Sequence, residues 1–214
     1  MMMKSNLPLA LAVFDSQFPD AHCELLYRQD YELLIAVVLS AQTTDQAVNQ
    51  VTPKLFKAFP TLKKIATAKL SQLQRVIQTI GLFRTKAKHI QGIANMLLSL
   101  HGGTVPSDKS LLMALPGVGG KTANVVRAEL FHIPEIAVDT HVTRIAKRLG
   151  LANPNDHVEV IERKLRKVLP ESRYIKTHHQ MIHFGRYFCT ARQPKCHSCP
   201  LVNHCFEKNK NLEK

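Results

Sequence analysis

Tryptophan is absent from this 214-residue chain, and aromatic residues make up only 6% of it. A protein that holds single strands of nucleic acid by stacking bases needs more rings than that, so the composition weighs against that class. Long apolar runs are missing too. The longest, Leu33 to Leu39, is far too short to cross a bilayer. Near the N-terminus, Lys4 and Ala10-Leu11-Ala12 have the outline of an export signal. Little apolar sequence precedes that candidate cleavage site, however, and Pro8 interrupts it. The expected location is the cytoplasm (nucleoid-associated if the source is bacterial), with no membrane partner. Alternating strand patterns, fixed-period repeats and low-complexity linkers are also lacking. A further gap is in charge: no carboxylate occurs between Asp45 and Asp108.

What fills that gap is basic: Lys54, Lys57, Lys63, Lys64, Lys69, Arg75, Arg84, Lys86 and Lys88. Across the chain, 29 Lys and Arg stand against 16 Asp and Glu, a formal charge of +13. Phosphates attract such a surface and release counterions on binding, so a polyanionic partner is expected. A merely well-solvated basic surface is the plainer alternative, but one-sided segregation favours a footprint. Hydrophobic residues at 45% suffice for a core, in one large domain or two small ones.

Apolar spacing is helical nearly throughout, which makes the class all-α with about nine to eleven helices. Tyr31 to Leu39 reads as a buried helix. Thr44 to Phe59 reads as another, with a kink or break at Pro53. Ser71 with Gln74 matches a capping box opening a helix that ends near Ile80-Gly81. Arg84 to His101 is closed by Gly102-Gly103. Ser107 is positioned to cap a short helix through Ala114, and Lys121 to Phe131 follows. Asp139 is expected to cap Thr140 to Leu149. Asp156 with Glu159 resembles a second capping box, for a helix to about Leu169, and His178 to Cys189 forms the last long helix. Cys23 is expected to be a small buried hydrophobe.

Two short stretches carry more chemistry. Leu115-Pro116-Gly117-Val118-Gly119-Gly120-Lys121-Thr122-Ala123 lies between two expected helices. Glycines at 117 and 119 permit left-handed backbone and close approach, and the next helix start offers N–H groups to a phosphate. A tight helix–helix turn without a ligand is the alternative. A nucleotide P-loop is excluded, because its first glycine would be Leu115 and a helix, not a strand, precedes it. In the tail, Cys189, Cys196, Cys199 and Cys205 are spaced C-x6-C-x2-C-x5-C. Four thiols this crowded in a cytosolic chain suggest a metal site, for which zinc is the generic guess; His197 or His204 are candidate substitute ligands.

Taken together these stretches resemble the endonuclease III family of helix-hairpin-helix DNA glycosylases. The hairpin matches its Leu-Pro-Gly-Val-Gly-x-Lys-Thr-Ala pattern. Ile136-Ala137-Val138-Asp139-Thr140-His141-Val142 follows with its Asp 18 residues after the Lys, and Leu39-Ser40-Ala41-Gln42-Thr43-Thr44-Asp45 matches an earlier signature. The resemblance runs from about Tyr31 to Cys205. It implies a two-lobed fold. A central, barrel-like helical domain would span 24–134, with the hairpin at about 108–131. A terminal helical domain would join 1–23 to 135–214 and carry an iron–sulfur loop at 189–205.

The resemblance also implies chemistry. Lys121 would attack C1′ of a damaged nucleotide, and the resulting Schiff base would lead to β-elimination. The helix start, nearby basic residues and desolvation in a cleft would disfavour its ammonium. Asp139 would face Lys121 and stabilise positive charge on the sugar while also capping its helix. Gln42 and Leu82 would fill the space left by the extruded base; read alone, they are an ordinary turn residue and a core residue. Gly117 and Gly119 would approach the DNA backbone. The four cysteines would hold a [4Fe-4S] cluster rather than zinc, with Arg192 and Lys195 meeting phosphates between the ligands. The implied substrate is double-stranded DNA bearing oxidised pyrimidines or abasic sites, acted on by a monomer.

Gly120 and Gln193 depart from the family pattern where basic residues are common. The adenine-removing branch of the superfamily shares the cysteine spacing. It lacks the hairpin Lys, however, and carries a catalytic Glu where this chain has Ala36. Two competing classes are a non-catalytic DNA-binding module and an electron-transfer protein. The latter leaves the hairpin and the basic span unexplained.

Overall fold

The computed structural model describes residues 6–213. Among them lie eleven α-helices, a few 3-10 and π turns, and no strand. The helices are α1 (Leu7–Gln17), α2 (Asp30–Leu39), α3 (Asp45–Ala58), α4 (Leu62–Ala66), α5 (Leu70–Val76), α6 (Phe83–Leu100), α7 (Lys109–Met113), α8 (Gly120–Phe131), α9 (Thr140–Arg148), α10 (Val158–Val168) and α11 (Tyr174–His183). The chain divides into two compact units. One is Glu24–Ile133; the other joins Met1–Cys23 to Pro134–Lys214.

The Glu24–Ile133 unit is organised around α2. Every residue from Tyr31 to Leu39 is buried, as a helix apolar on all sides requires. α3, α6 and α8 pack against it. Glu32, the one charged residue buried in α2, accepts the Arg28 backbone N–H at 2.8 Å and pairs with the Arg28 guanidinium at 3.1 Å. The long α6 turns Ala87, Ile90, Ile93, Ala94 and Leu97 inward. It stops at Gly102 and Gly103, both left-handed, where the Gly103 N–H reaches back to the Leu97 carbonyl at 2.8 Å.

The second unit packs α1, α9, α10 and α11 around Phe14, Ile145, Ile161, Leu165 and Phe184. Phe14 meets Phe184 with ring centroids 5.3 Å apart. Asp15 fastens α1 to the distant C-terminal part of the chain. Its carboxylate accepts two guanidinium bonds from Arg173, at 2.9 and 3.0 Å, and one from the Gln180 amide at 3.0 Å.

Several local expectations need correction. Pro53 does not break α3, which runs unbroken from Asp45 to Ala58. A single missing N–H is tolerated because Val48, Val51, Thr52, Leu55 and Phe56 bury the helix's inner face. Ser71 lies inside α5 rather than at its cap. The helix opens at Lys69, whose N–H donates to Gln72 Oε1 at 3.3 Å, and it ends at Val76. Asp108, not Ser107, caps α7, accepting the Leu111 N–H at 2.9 Å. Asp156 does not cap α10. Its carboxylate is taken by the Asn153 N–H and the Lys164 ammonium, at 2.7 and 2.5 Å. α11 begins earlier, at Tyr174, and gives way to a π turn over Phe184–Phe188. Cys23 is half-buried rather than fully buried.

Candidate active site and cluster loop

The hairpin between α7 and α8 is held from below by α6. At Gly117 the backbone is left-handed, φ +76°, and an added Cβ would lie 2.5 Å from His89 Nδ1. One turn further along α6, Gly92 leaves room for Pro116, whose Cγ would be 2.9 Å from a Cβ there. Gly119 differs from expectation. Its backbone is extended (φ −97°, ψ 179°), nothing crowds it, and it is the N-cap of α8. A glycine cap has no side chain to accept from the first turn, so that turn's N–H groups remain available to an anion. Lys121, second residue of α8, is exposed.

Gln42 and Leu82 are two of three non-glycine residues with positive φ among those described, at 54° and 60°. Both are exposed, Leu82 by 62%. A bulky residue held left-handed costs about 1–3 kcal/mol and persists where neighbours over-determine it. Gln42 sits in a turn closed by the Thr43 N–H on the Ser40 carbonyl at 3.0 Å, directly after α2. Leu82 is the N-cap of α6.

The basic span separates cleanly by exposure. Lys54, Lys57, Lys63, Lys64, Lys69, Arg75, Arg84 and Lys88 are exposed, whereas Lys86 is buried. The Lys86 ammonium donates to the Leu39 carbonyl at 2.9 Å and to Thr43 Oγ1 at 2.8 Å. It is no part of a surface footprint.

Asp139 belongs to the other unit. It caps α9 as expected, Oδ1 accepting the Val142 N–H at 2.8 Å, and it is half-buried. Its second oxygen is not part of the cap. Burial pushes the neighbouring His141 imidazole down from its ordinary value, and the Asp139 charge partly offsets this.

In the same unit the four tail cysteines line one cavity together with Arg148, Val202, Glu207 and Lys210. Burial raises the Cys189 and Cys199 thiols, and at Cys189 the Arg148 guanidinium opposes the rise. Arg148 donates to Cys189 Sγ at 3.2 Å and to the Thr190 carbonyl at 2.9 Å, and pairs with Glu207 at 2.9 Å. Arg144 holds the Cys189 carbonyl at 3.1 Å. The donor chemistry fits a thiolate-bound cluster: four cysteines line one cavity, and the Arg148 guanidinium beside the Cys189 sulfur would offset added negative charge. Arg192 and Lys195, between Cys189 and Cys196, are exposed.

Residues 35–171 match the model of the HhH-GPD superfamily of base excision DNA repair proteins, and 189–205 match the iron–sulfur binding domain of endonuclease III. The chain is 44% identical to the endonuclease III of Bacillus subtilis over 214 residues, covering 100% of this chain and 98% of that one. The chain belongs to the endonuclease III family. Its fold agrees with a non-covalent endonuclease III–DNA complex at a TM-score of 0.93, with 48% identity over 96% of each chain. An endonuclease III trapped as a covalent intermediate with DNA agrees equally well, covering 96% of this chain and 97% of that one. As a member of that family, this protein is a base excision repair enzyme, a DNA glycosylase and apurinic/apyrimidinic lyase, and its cofactor is a [4Fe-4S] cluster. No helix among the described residues is long and apolar enough to cross a membrane.

Three residues that shape these sites carry no signal in the sequence. Lys86 reads as one of nine surface cations, and nothing in a row of charges marks the buried one. His89 lies three residues on and looks equally ordinary. Arg148 ends α9 41 residues before the thiol it touches, a distance at which no local pattern speaks.

Proposed function

We propose that this protein removes oxidised pyrimidines from duplex DNA with Lys121 as nucleophile, and then cleaves the strand 3′ to the lesion. The observation that carries this reading is the exposed Lys121 at the open start of α8, on a hairpin fixed from below by Gly92, Gly117 and His89. In the first step Nζ bonds to C1′ as the glycosidic bond breaks, and the base leaves with the bonding electrons and gains a proton. Opening of the sugar ring then gives a protonated Schiff base. That cation acidifies the C2′ proton, and its loss drives the electron pair into C2′–C3′ as the C3′–O bond to phosphate breaks. Attack requires a neutral amine. Docked DNA excludes water from the reacting atoms. The Asp139 carboxylate stabilises positive charge on the sugar and relays protons to and from the amine, one oxygen remaining on the α9 cap. The trapped covalent complex of a relative supports the Schiff-base route.

The target base is reached only outside the stack. Leu82 enters the duplex as an apolar wedge, and Gln42 offers donor and acceptor to the orphaned partner base; their exposure and left-handed backbone support this reading. Gly117 and Gly119 let the hairpin backbone approach the lesion strand. Cys189, Cys196, Cys199 and Cys205 ligate the cluster. When bound, it serves structurally, shaping the loop that brings Arg192 and Lys195 to phosphates. The protein acts as a monomer and works where chromosomal DNA lies, the nucleoid if the source is bacterial.

Borohydride tests the assignment. Cluster-loaded protein incubated with duplex DNA carrying thymine glycol or an abasic site is expected to give a covalent adduct on reduction. Lys121→Ala is expected to give none. An adduct that survives in Lys121→Ala overturns the choice of nucleophile.

A further inference from the structure

The geometry points to Lys86 as a positioning residue that sets Gln42 and Leu82 in fixed relation, so that partner-base reading depends on a buried lysine. The inference rests on the reading of Gln42 given above. Lys86 is 3% exposed, one turn into α6. Its own N–H donates to the Leu82 carbonyl at 3.0 Å. Its ammonium reaches across to both ends of the neighbouring turn, the Leu39 carbonyl before it and the Thr43 hydroxyl that ends it. One residue thereby joins the α6 N-cap that carries Leu82 to the four-residue turn that carries Gln42.

The chemistry of the contact explains why the residue is a lysine. α2 ends inside the unit, where its last carbonyls lack intrahelical partners. A cation is favoured at that negative helix end, and both acceptors are uncharged oxygens. Burial lowers the affinity of the Lys86 amine for its proton, so the site uses a costly group where an apolar side chain would fill the space. The return on that cost is a turn held in a conformation that Gln42 does not favour by itself, φ 54°.

The test is a double-mutant cycle read through the partner base. Affinity of the cluster-loaded protein is measured for duplexes carrying a tetrahydrofuran abasic analogue opposite each of the four bases. Gln42→Ala is expected to narrow the spread of affinities among the four. Lys86→Met, which keeps the volume and removes the donor, is expected to narrow it equally and to weaken binding about tenfold. In the double variant the loss is expected to stay within about twofold of the larger single loss, because Lys86 acts on the partner base through Gln42. Should Lys86→Met fail to fold, Thr43→Val removes one acceptor from a half-buried side chain and carries the same expectation. A full wild-type spread in Lys86→Met or Thr43→Val, or losses that multiply with Gln42→Ala, overturns the inference. If Gln42→Ala itself keeps the wild-type spread, Gln42 reads no base, and both readings fall.

Discussion

Replacing Gly117 by Ala tests whether the hairpin is held by backbone conformation and by α6 together. The φ of +76° is a left-handed conformation that costs an L-residue roughly 1–2 kcal/mol. The added Cβ would also sit 2.5 Å from His89 Nδ1 and 2.9 Å from its Cγ. The imidazole must shift, and overpacking of this kind costs about 1–3 kcal/mol. Together these give about 2–5 kcal/mol, which for a chain of this size lowers Tm by roughly 5–15 °C. Circular dichroism melts on cluster-loaded protein measure it. The double variant His89→Ala/Gly117→Ala separates the two causes, since removing the ring restores the steric part and leaves the conformational part. Gly119→Ala is the control. That position is extended with open space around it, so only a cap preference of about 1 kcal/mol or less is at stake. A Gly117→Ala protein that melts within roughly 1 °C of wild type refutes the argument. Equal losses at 117 and 119 refute it as well.

The cap of α9 and the proposed charge-stabilising role of Asp139 separate by substitution. Asp139→Asn retains an oxygen for the Val142 N–H and is expected to keep wild-type stability, whereas Asp139→Ala loses about 1 kcal/mol; base release and borohydride trapping should fall strongly in both. Asp15 gives the protein an acid-sensitive tie. The Arg173 guanidinium, helped by Gln180 against a smaller opposing effect of burial, holds its carboxyl well below the ordinary 3.8. A depressed carboxylate stabilises the fold fully above the unfolded value and loses that contribution as pH falls toward the folded one. The stability gap between wild type and Asp15→Asn, about 1 kcal/mol after solvent screening, should therefore be constant above about pH 5 and shrink below about pH 4, as urea titrations across that range would show.

Much of the fold is legible in the residues alone. α2 announces itself as an unbroken apolar run between a turn and a signature, and α9 announces itself through Asp139. Strong periodicity and a carboxylate before it leave few choices. Helix starts prove less legible. Ser71, Ser107 and Asp156 are all good capping residues, yet the caps fall one or two positions away, because packing of the apolar face decides which residue ends up at the boundary. At the site, the cysteine spacing and the hairpin are local and speak plainly. Long-range contacts do not: Arg148 with Cys189, and Lys86 with Thr43, join positions 41 and 43 residues apart.

α6 doubles as a ruler. Leu82 at its head, then Lys86, His89 and Gly92, meet successive neighbours at a rise of about 1.5 Å and a rotation of about 100° per residue. Point changes along it act locally. Deleting or inserting a single residue between 83 and 89 would swing the downstream positions about a quarter turn away from the loops they meet. Length, more than composition, is what this stretch has to preserve.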